Sequence, residues 1–339
     1  MFGRRRRREE KKSPERAWRR ALSAAVEGRW EATETWLERL VEADSNDLEA
    51  YHALARLYRR QGAVGRAIRM HQNLLLRPDL EGEARVEAMD ELARDFDAGG
   101  FVVRAIAAYE EVLARRPRDA GVLERLVELH ADQGERTRAL ALVRRLRRRN
   151  PEWAHRREVE LLLAQAKAAH DEGEAAAARR TLKRCLRRDP GCAEGWTLMG
   201  QIEAERGRDA RALEAWKKAA AADPARAAPL YPRIQATFAA RGKPTEFERF
   251  VRELLERQPG NRFVTLALAR SLGSRGDAAA AVEELERAIA ASPGDYALHA
   301  ELGRQLLTAG QDAEALKAYQ DLLGTIERLE RDASGETIG

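Results

Sequence analysis

The sequence predicts an all-α solenoid of about nine helix hairpins, and three spacings predict it. Glycines that follow a helical stretch recur at Gly28, Gly62, Gly100, Gly134, Gly173, Gly207, Gly242, Gly276 and Gly310, at intervals of 34, 38, 34, 39, 34, 35, 34 and 34. Prolines recur at Pro78, Pro117, Pro151, Pro190, Pro224, Pro259 and Pro293, 39, 34, 39, 34, 35 and 34 apart. Alanine stands five residues after most of the glycines, at Ala67, Ala105, Ala139, Ala178, Ala212, Ala281 and Ala315. Each marker has a physical task. Glycine ends helix A of a hairpin where the chain turns tightly. The small alanine lets helix B approach helix A. Proline cannot continue helix B and opens the link to the next hairpin. Such a period is the signature of a repeat array.

Taken in order, the first hairpin lacks a clean register and a closing proline. The second, through Pro78, and the third, through Pro117, are regular except for extra residues at 79–85, which extend a loop or helix A. The same holds for 152–158 ahead of Gly173. Residues 193–224, "AEGWTLMGQIEAERGRDARALEAWKKAAAADP", carry every marker in register: Trp196, Met199, Gly200, Gly207, Ala212, Trp216, Ala219 and Pro224. The repeat from 228 to 259 departs. Phe247 fills the small-alanine slot and Gln235 the slot usually held by Gly or Ala, so splayed helices are expected. The 34-residue pattern resembles the tetratricopeptide repeat (TPR) from about residue 14 to 326, which implies a right-handed superhelical solenoid. The expected organisation is a basic disordered tail over 1–13, a TPR array over 14–331 and a disordered C-terminal tail over 332–339.

Charge and composition exclude several classes. Of the net charge of +5 over 339 residues, residues 1–20 carry +7, ten Lys or Arg against three Glu, so the rest sums to −2. The basic character belongs to the tail, and Arg4, Arg5, Arg6, Arg7 and Arg8 beside Phe2 could touch an anionic membrane weakly and reversibly. No apolar run reaches the roughly 18 residues of a membrane span. The basic start runs into "EEKKSPERAW" and not into the apolar stretch of a signal peptide. Cys185 and Cys192 form no CxxC pair, which points to a reducing, cytoplasmic setting. Cys185 reads as a buried structural thiol. Cys192 lies in a loop with nothing around it that marks a nucleophile. No HExxH, Walker A loop or GxGxxG is present. The six histidines are assigned to different repeats, without metal-ligand spacing. No enzyme, metal or cofactor is expected.

Repeat solenoids bind along an extended face. In TPR arrays the ninth position of each repeat lines the concave groove. From the second repeat on, those positions are Arg56, Arg94, Glu128, Lys167, Gln201, Ala236, Arg270 and Arg304. Five are basic, which suits an acidic peptide or protein surface; the alternative is ordinary solvated arginine. No asparagine stands in the ninth position, so the carboxylate clamps of chaperone-tail binders are not matched. Clusters at 144–150 and at Arg179, Arg180, Lys183, Arg184, Arg187 and Arg188 would form a convex basic patch on helix B. It lacks interleaved aromatics, so nucleic acid is the weaker reading.

In "RAIRMHQNLLLRPDL" (66–80), His71 falls in the core-facing helix-B slot held elsewhere by Tyr109, Val143, Leu182, Trp216, Leu285 and Tyr319. Either the ring packs and bonds a neighbour, or His71, Gln72 and Asn73 build a polar socket. Residues 57–106 resemble repeats of the lipopolysaccharide assembly protein B family through Gly62, Val64, Arg66, Ala67, Ile68, Arg69, His71, Gln72 and Leu74, then Arg85, Ala88, Leu92, Asp95 and Gly99. "GKPTEFERFVRELL" (242–255) resembles that family's irregular later repeat. The resemblance implies a non-enzymatic scaffold at the inner face of the cytoplasmic membrane. Its implied partners are a lipid A biosynthetic enzyme and a membrane protease. Members usually carry an N-terminal membrane helix and a C-terminal rubredoxin-type zinc ribbon with two CxxC pairs; neither stands in these 339 residues. The family-like socket is therefore Arg66, Arg69, His71, Gln72 and Asn73, expected to fix the junction of the second and third repeats and to present a binding edge. A generic TPR scaffold of another complex remains open, as does an RNA- or anionic-membrane-binding protein that uses the tail.

Overall fold

A computed structural model describes residues 14–334; the tail arginines Arg4–Arg8 lie outside the described residues. Within them the chain forms eighteen α-helices and one 3₁₀ turn, with no strand. They are α1 (Pro14–Val26), α2 (Trp30–Ala43), α3 (Leu48–Arg60), α4 (Val64–Leu75), α5 (Gly82–Ala98), α6 (Val102–Arg115), α7 (Ala120–Asp132), α8 (Arg136–Leu146) and α9 (Pro151–Asp171). There follow α10 (Ala175–Arg188), α11 (Ala193–Glu205), α12 (Asp209–Ala222), the turn Ala228–Leu230, and α13 (Tyr231–Ala240). The last five are α14 (Pro244–Arg257), α15 (Arg262–Ser274), α16 (Ala278–Ala291), α17 (Tyr296–Thr308) and α18 (Asp312–Ser334). Odd-numbered helices are helix A of a hairpin and even-numbered ones helix B, giving nine hairpins among the described residues. α18 continues three residues past the expected array end at 331. The fold is a helical solenoid, divided into two compact units, residues up to Leu161 and residues from Leu162, with the boundary inside α9.

The markers do what their chemistry requires. All nine marker glycines adopt positive φ, between 67° and 85°. At Gly62, the Gly62 N–H donates to the Arg59 carbonyl (3.2 Å) and the Ala63 N–H to the Tyr58 carbonyl (2.8 Å). These two bonds close α3 with a left-handed residue that only glycine adopts cheaply. The seven marker alanines are all fully buried. Helices start on side-chain caps where the sequence offers them: Asp47 accepts from the Ala50 N–H, Asp119 from Val122, Asn261 from Phe263 and Val264, and Asp295 from Ala297.

The extra residues at 152–158 lengthen helix A, whereas those at 79–85 are shared between the preceding loop (79–81) and helix A (82–85). α5 has 17 residues and α9 has 21, against 13 in α3, α7 and α11. Pro151 therefore does not open a link: it is the first residue of α9, and Asn150 beside it accepts from the Trp153 N–H. The irregular repeat is shortened on its A side. α13 has ten residues and follows the 3₁₀ turn. Phe247 is buried at 1% exposure, its ring edge-on to Phe238 with centroids 6.4 Å apart. Gln235 does not enter the hairpin interior; its amide reaches Ser271 Oγ (3.4 Å) and Ser274 Oγ (3.2 Å) on the next helix A.

Candidate functional site: a buried charge network beneath the helix-A face

His71 stands on α4 where six other repeats place a large apolar side chain, and it is fully buried. Its Nδ1 lies 2.6 Å from Asp95 Oδ2 on α5, and its Nε2 lies 3.1 Å from His52 Nδ1 on α3. The two imidazoles also stack, with centroids 5.2 Å apart. Asp95 takes a second partner, Arg59 Nη1 at 2.7 Å, and Arg59 Nη2 continues to Glu91 Oε2 at 2.9 Å. Arg56 closes the chain on Glu91 Oε1 with Nε at 3.0 Å and Nη2 at 2.8 Å. The network therefore joins α3, α4 and α5, helix A and helix B of one hairpin with helix A of the next. Each member is satisfied by another, which is what makes burial of this many polar groups tolerable.

The electrostatics follow from this geometry. Burial alone would raise the Glu91 carboxyl, but hydrogen bonds and charge from Arg56 and Arg59 overcome it and hold Glu91 down to about 2. Burial, then the neighbouring His71, pushes His52 below its ordinary 6.5, against the opposing pull of Glu87 and Glu91. Asp95 accepts from His71 Nδ1–H, and His71 Nε2 faces His52 Nδ1, so one nitrogen of that facing pair donates and the other accepts.

Four of the five expected groove cations are ion-paired. Arg56 on α3 and Arg94 on α5 both reach Glu91, at 2.8 and 3.7 Å, and Arg94 also pairs with Asp90 at 2.7 Å. In the second unit Arg270 on α15 and Arg304 on α17 both hold Glu301, each at 2.8 Å. Glu91 and Glu301 are each 1% exposed and stand three residues before a ninth-position arginine. One rule thus recurs: a buried glutamate is clamped by the arginine of its own helix A and the arginine of the preceding one. The arginine heads stay half exposed, from 50% to 60%. Around Glu91 the carboxylates Glu87, Asp90 and Asp95 cancel the positive charge. Around Glu301 two arginines share one carboxylate, so a cationic surface survives there. Lys167 is exposed on α9.

Family models described as "Tetratricopeptide repeat" match residues 102–166, 159–202 and 266–332. Lipopolysaccharide assembly protein B of Escherichia coli is 26% identical over 300 residues, 86% of this chain and 75% of that protein. The chain is a tetratricopeptide repeat protein that resembles lipopolysaccharide assembly protein B. The counterpart from Haemophilus influenzae is 25% identical over 301 residues, 87% of this chain and 74% of that one. Among solved structures, the crystal structure of MamA protein covers 54% of this chain and 97% of its own, at 19% identity and a TM-score of 0.36.

The expected socket divides in two within this TPR array. His71 joins the network, whereas Gln72 and Asn73 are exposed and take no part in it. The reason is helical phase: residues one and two beyond an inward position point 100° and 200° away from it. Arg66 turns back to the preceding hairpin, with Nη1 2.9 Å from Glu34 and its guanidinium 3.8 Å above the Tyr58 ring. Arg69 is exposed. The assignment of all six histidines to different repeats needs correction, because His52 and His71 share the second hairpin and touch, and His155 and His170 share α9. His52, Arg59 and Glu91 went unnamed as site residues. The signal for them was 19-residue spacing across the hairpin for the histidines, and charged residues in slots facing the next helix A for the other two.

The cysteines also meet in space. The Cys185 thiol hydrogen-bonds Cys192, and the Cys192 sulfur is lowered to about 7, first by that bond and then, against burial, by the Gly195 N–H at the start of α11. Cys185 is pushed up by the same bond and by burial. The lowering comes from a neighbouring thiol and a backbone N–H at a helix N-terminus, with no basic side chain among its main causes.

Among the described residues no group of three or more His, Cys, Asp or Glu could hold a metal ion. No helix there is long and apolar enough to cross a membrane.

Proposed function

We propose that this TPR protein is a non-enzymatic scaffold that holds protein partners along its helix-A face and acts in the regulation of lipopolysaccharide assembly at the inner face of the cytoplasmic membrane. The observation that carries the reading is the length of the match to lipopolysaccharide assembly protein B. Its 300 residues exceed either compact unit, so the match runs through both. Physical features support a scaffold. The buried charges around His71 and Glu91 are spent on bolting hairpins together, and the repeats present helix-A surface on successive hairpins. A lipid A biosynthetic enzyme and a membrane protease are the proposed partners. An acidic partner surface would meet the cationic set Lys167, Arg270 and Arg304.

The test is affinity capture from native lysate, quantified by mass spectrometry, for the intact chain, for Lys167→Glu with Arg304→Gln, and for an unrelated TPR protein. Enrichment of a lipid A enzyme or a membrane protease on the intact chain, reduced by the double substitution, is the expected result. Equal recovery on the unrelated TPR protein contradicts the lipopolysaccharide role.

A further inference from the structure

Consecutive B helices leave grooves between them, and one of these is unlike the other. In the first unit a groove of about 580 Å³ lies between α6 and α8. Its two arginines are engaged: Arg138 pairs with Glu135 at 2.9 Å, and Arg145 donates to the Pro117 carbonyl at 2.8 Å. In the second unit a groove of about 670 Å³ lies between α10 and α12, with α11 beneath. Leu186, Trp196, Met199 and Ala215 make its floor. Its rim carries Lys183 and Arg187 from α10 and Arg211 and Lys218 from α12. All four are exposed, and Lys183, Arg187 and Arg211 form no ion pair among the described residues. Lys218 lies 4.4 Å above the Trp196 ring.

The two carboxylates of the groove are already occupied. Glu203 is buried and held by Arg179 and, at 3.4 Å, by Arg208. Glu214 leans towards Lys217 at 3.4 Å. What remains is an apolar floor between two cationic walls. Lys183 and Arg187 are one helical turn apart, Arg211 and Lys218 two turns apart, so each wall offers charges at the axial repeat of a helix.

We infer that the groove between α10 and α12 is a docking site for an acidic amphipathic helix of a protein partner, with apolar side chains seated on Trp196 and Met199 and carboxylates paired to the two walls. This rests on the scaffold reading and adds a second, separate surface to it. The occupant is set by charge complementarity. Wall cations spaced by whole helical turns pair best with Glu or Asp at i and i+4, and an apolar stripe between them covers the floor, as in other helix-in-groove contacts.

The experiment titrates the full chain with a fluorescein-labelled helix of roughly four turns that carries Leu along one face and Glu at i, i+4 on both flanks. A peptide with Lys in place of each Glu is the control, and phosphatidylglycerol–phosphatidylcholine vesicles form a separate arm. Two variants act at exposed positions: Lys183→Glu/Arg187→Glu reverses one wall, and Ala210→Trp plugs the groove. The Glu peptide should bind saturably, the wall variant should weaken it at least about tenfold, and the plugged variant should not bind. No saturable binding of the Glu peptide overturns the proposal, as does equal binding by both variants. Vesicle binding lost in these variants, with the peptide unbound, overturns it in favour of a lipid surface. The capture experiment repeated with Ala210→Trp separates the two readings. Unchanged capture of a lipid A enzyme or protease leaves the scaffold standing on its helix-A face alone.

Discussion

Replacing Glu91 by glutamine removes one charge and almost no volume, so it isolates what the clamped carboxylate contributes. A carboxyl held at about 2 instead of its ordinary 4.5 stabilises the folded state at neutral pH by about 3 kcal/mol, at about 1.4 kcal/mol per pH unit. Arg56 is half exposed and its share is screened by solvent, which brings the expected cost of Glu91→Gln to about 2 kcal/mol. The sign is fixed by the depressed pKa. The contribution is fully present above 4.5 and is lost as pH falls through the folded value near 2. The cost of the substitution must therefore be flat at neutral pH and shrink below 4.5. Repeat arrays need not unfold in one step, so the assay is amide hydrogen exchange of α3 and α5, with α15 and α17 as an internal reference. A loss of protection confined to α3 and α5 and narrowing in acid is the expected result. A cost below about 0.5 kcal/mol, or one independent of pH, would refute the reasoning that the arginine clamp holds these hairpins together.

Other consequences can be measured separately. His52 holds its proton less tightly than 6.5 when folded, so the unfolded chain binds more protons as pH drops and protection of α3 and α4 should fall from pH ~7 through 6.5. His52→Gln should flatten that profile, and an unchanged profile would place the titrating group elsewhere. A Cβ on Gly200 would lie 2.3 Å from the Trp216 ring, so Gly200→Ala should destabilise the second unit by about 1–3 kcal/mol in thermal melts; a neutral effect would mean that Trp216 repacks freely. Cys192 should be alkylated by iodoacetamide with a midpoint near its pKa of about 7, with Cys185 modified only on unfolding. Equal rates for the two thiols would contradict their hydrogen bond.

The periodic part of the fold was legible because glycine, alanine and proline each answer a backbone or volume constraint that recurs every hairpin. Gly62 shows why: its turn needs a positive φ, and the residue type reports the conformation directly. The direction of the extra residues at 79–85 and 152–158 was not legible, since a longer loop and a longer helix have the same count; at 152–158 Asn150, bonded to the Trp153 N–H beside Pro151, goes with helix, and at 79–85 loop and helix share them. The site was harder. His71 could be placed in a core slot from its register. Its partners lie 19 and 24 residues away, on helices whose facing slots only three-dimensional packing identifies. Counting ninth-position arginines gave a row of cations without their ion pairs, because a buried glutamate such as Glu301 is silent in the sequence until the helices are stacked. Gln72 and Asn73 were grouped with His71 by adjacency, which on a helix separates side chains.

The scaffold claim meets its most direct test in cells, with a photocrosslinking amino acid placed singly at Lys167 and at Ala236, two exposed ninth-position sites on helix A. The account predicts a discrete protein adduct from at least one of these positions, identified by mass spectrometry and diminished by Arg304→Gln. Adducts to RNA or lipid alone, or no protein adduct from either position, would contradict it.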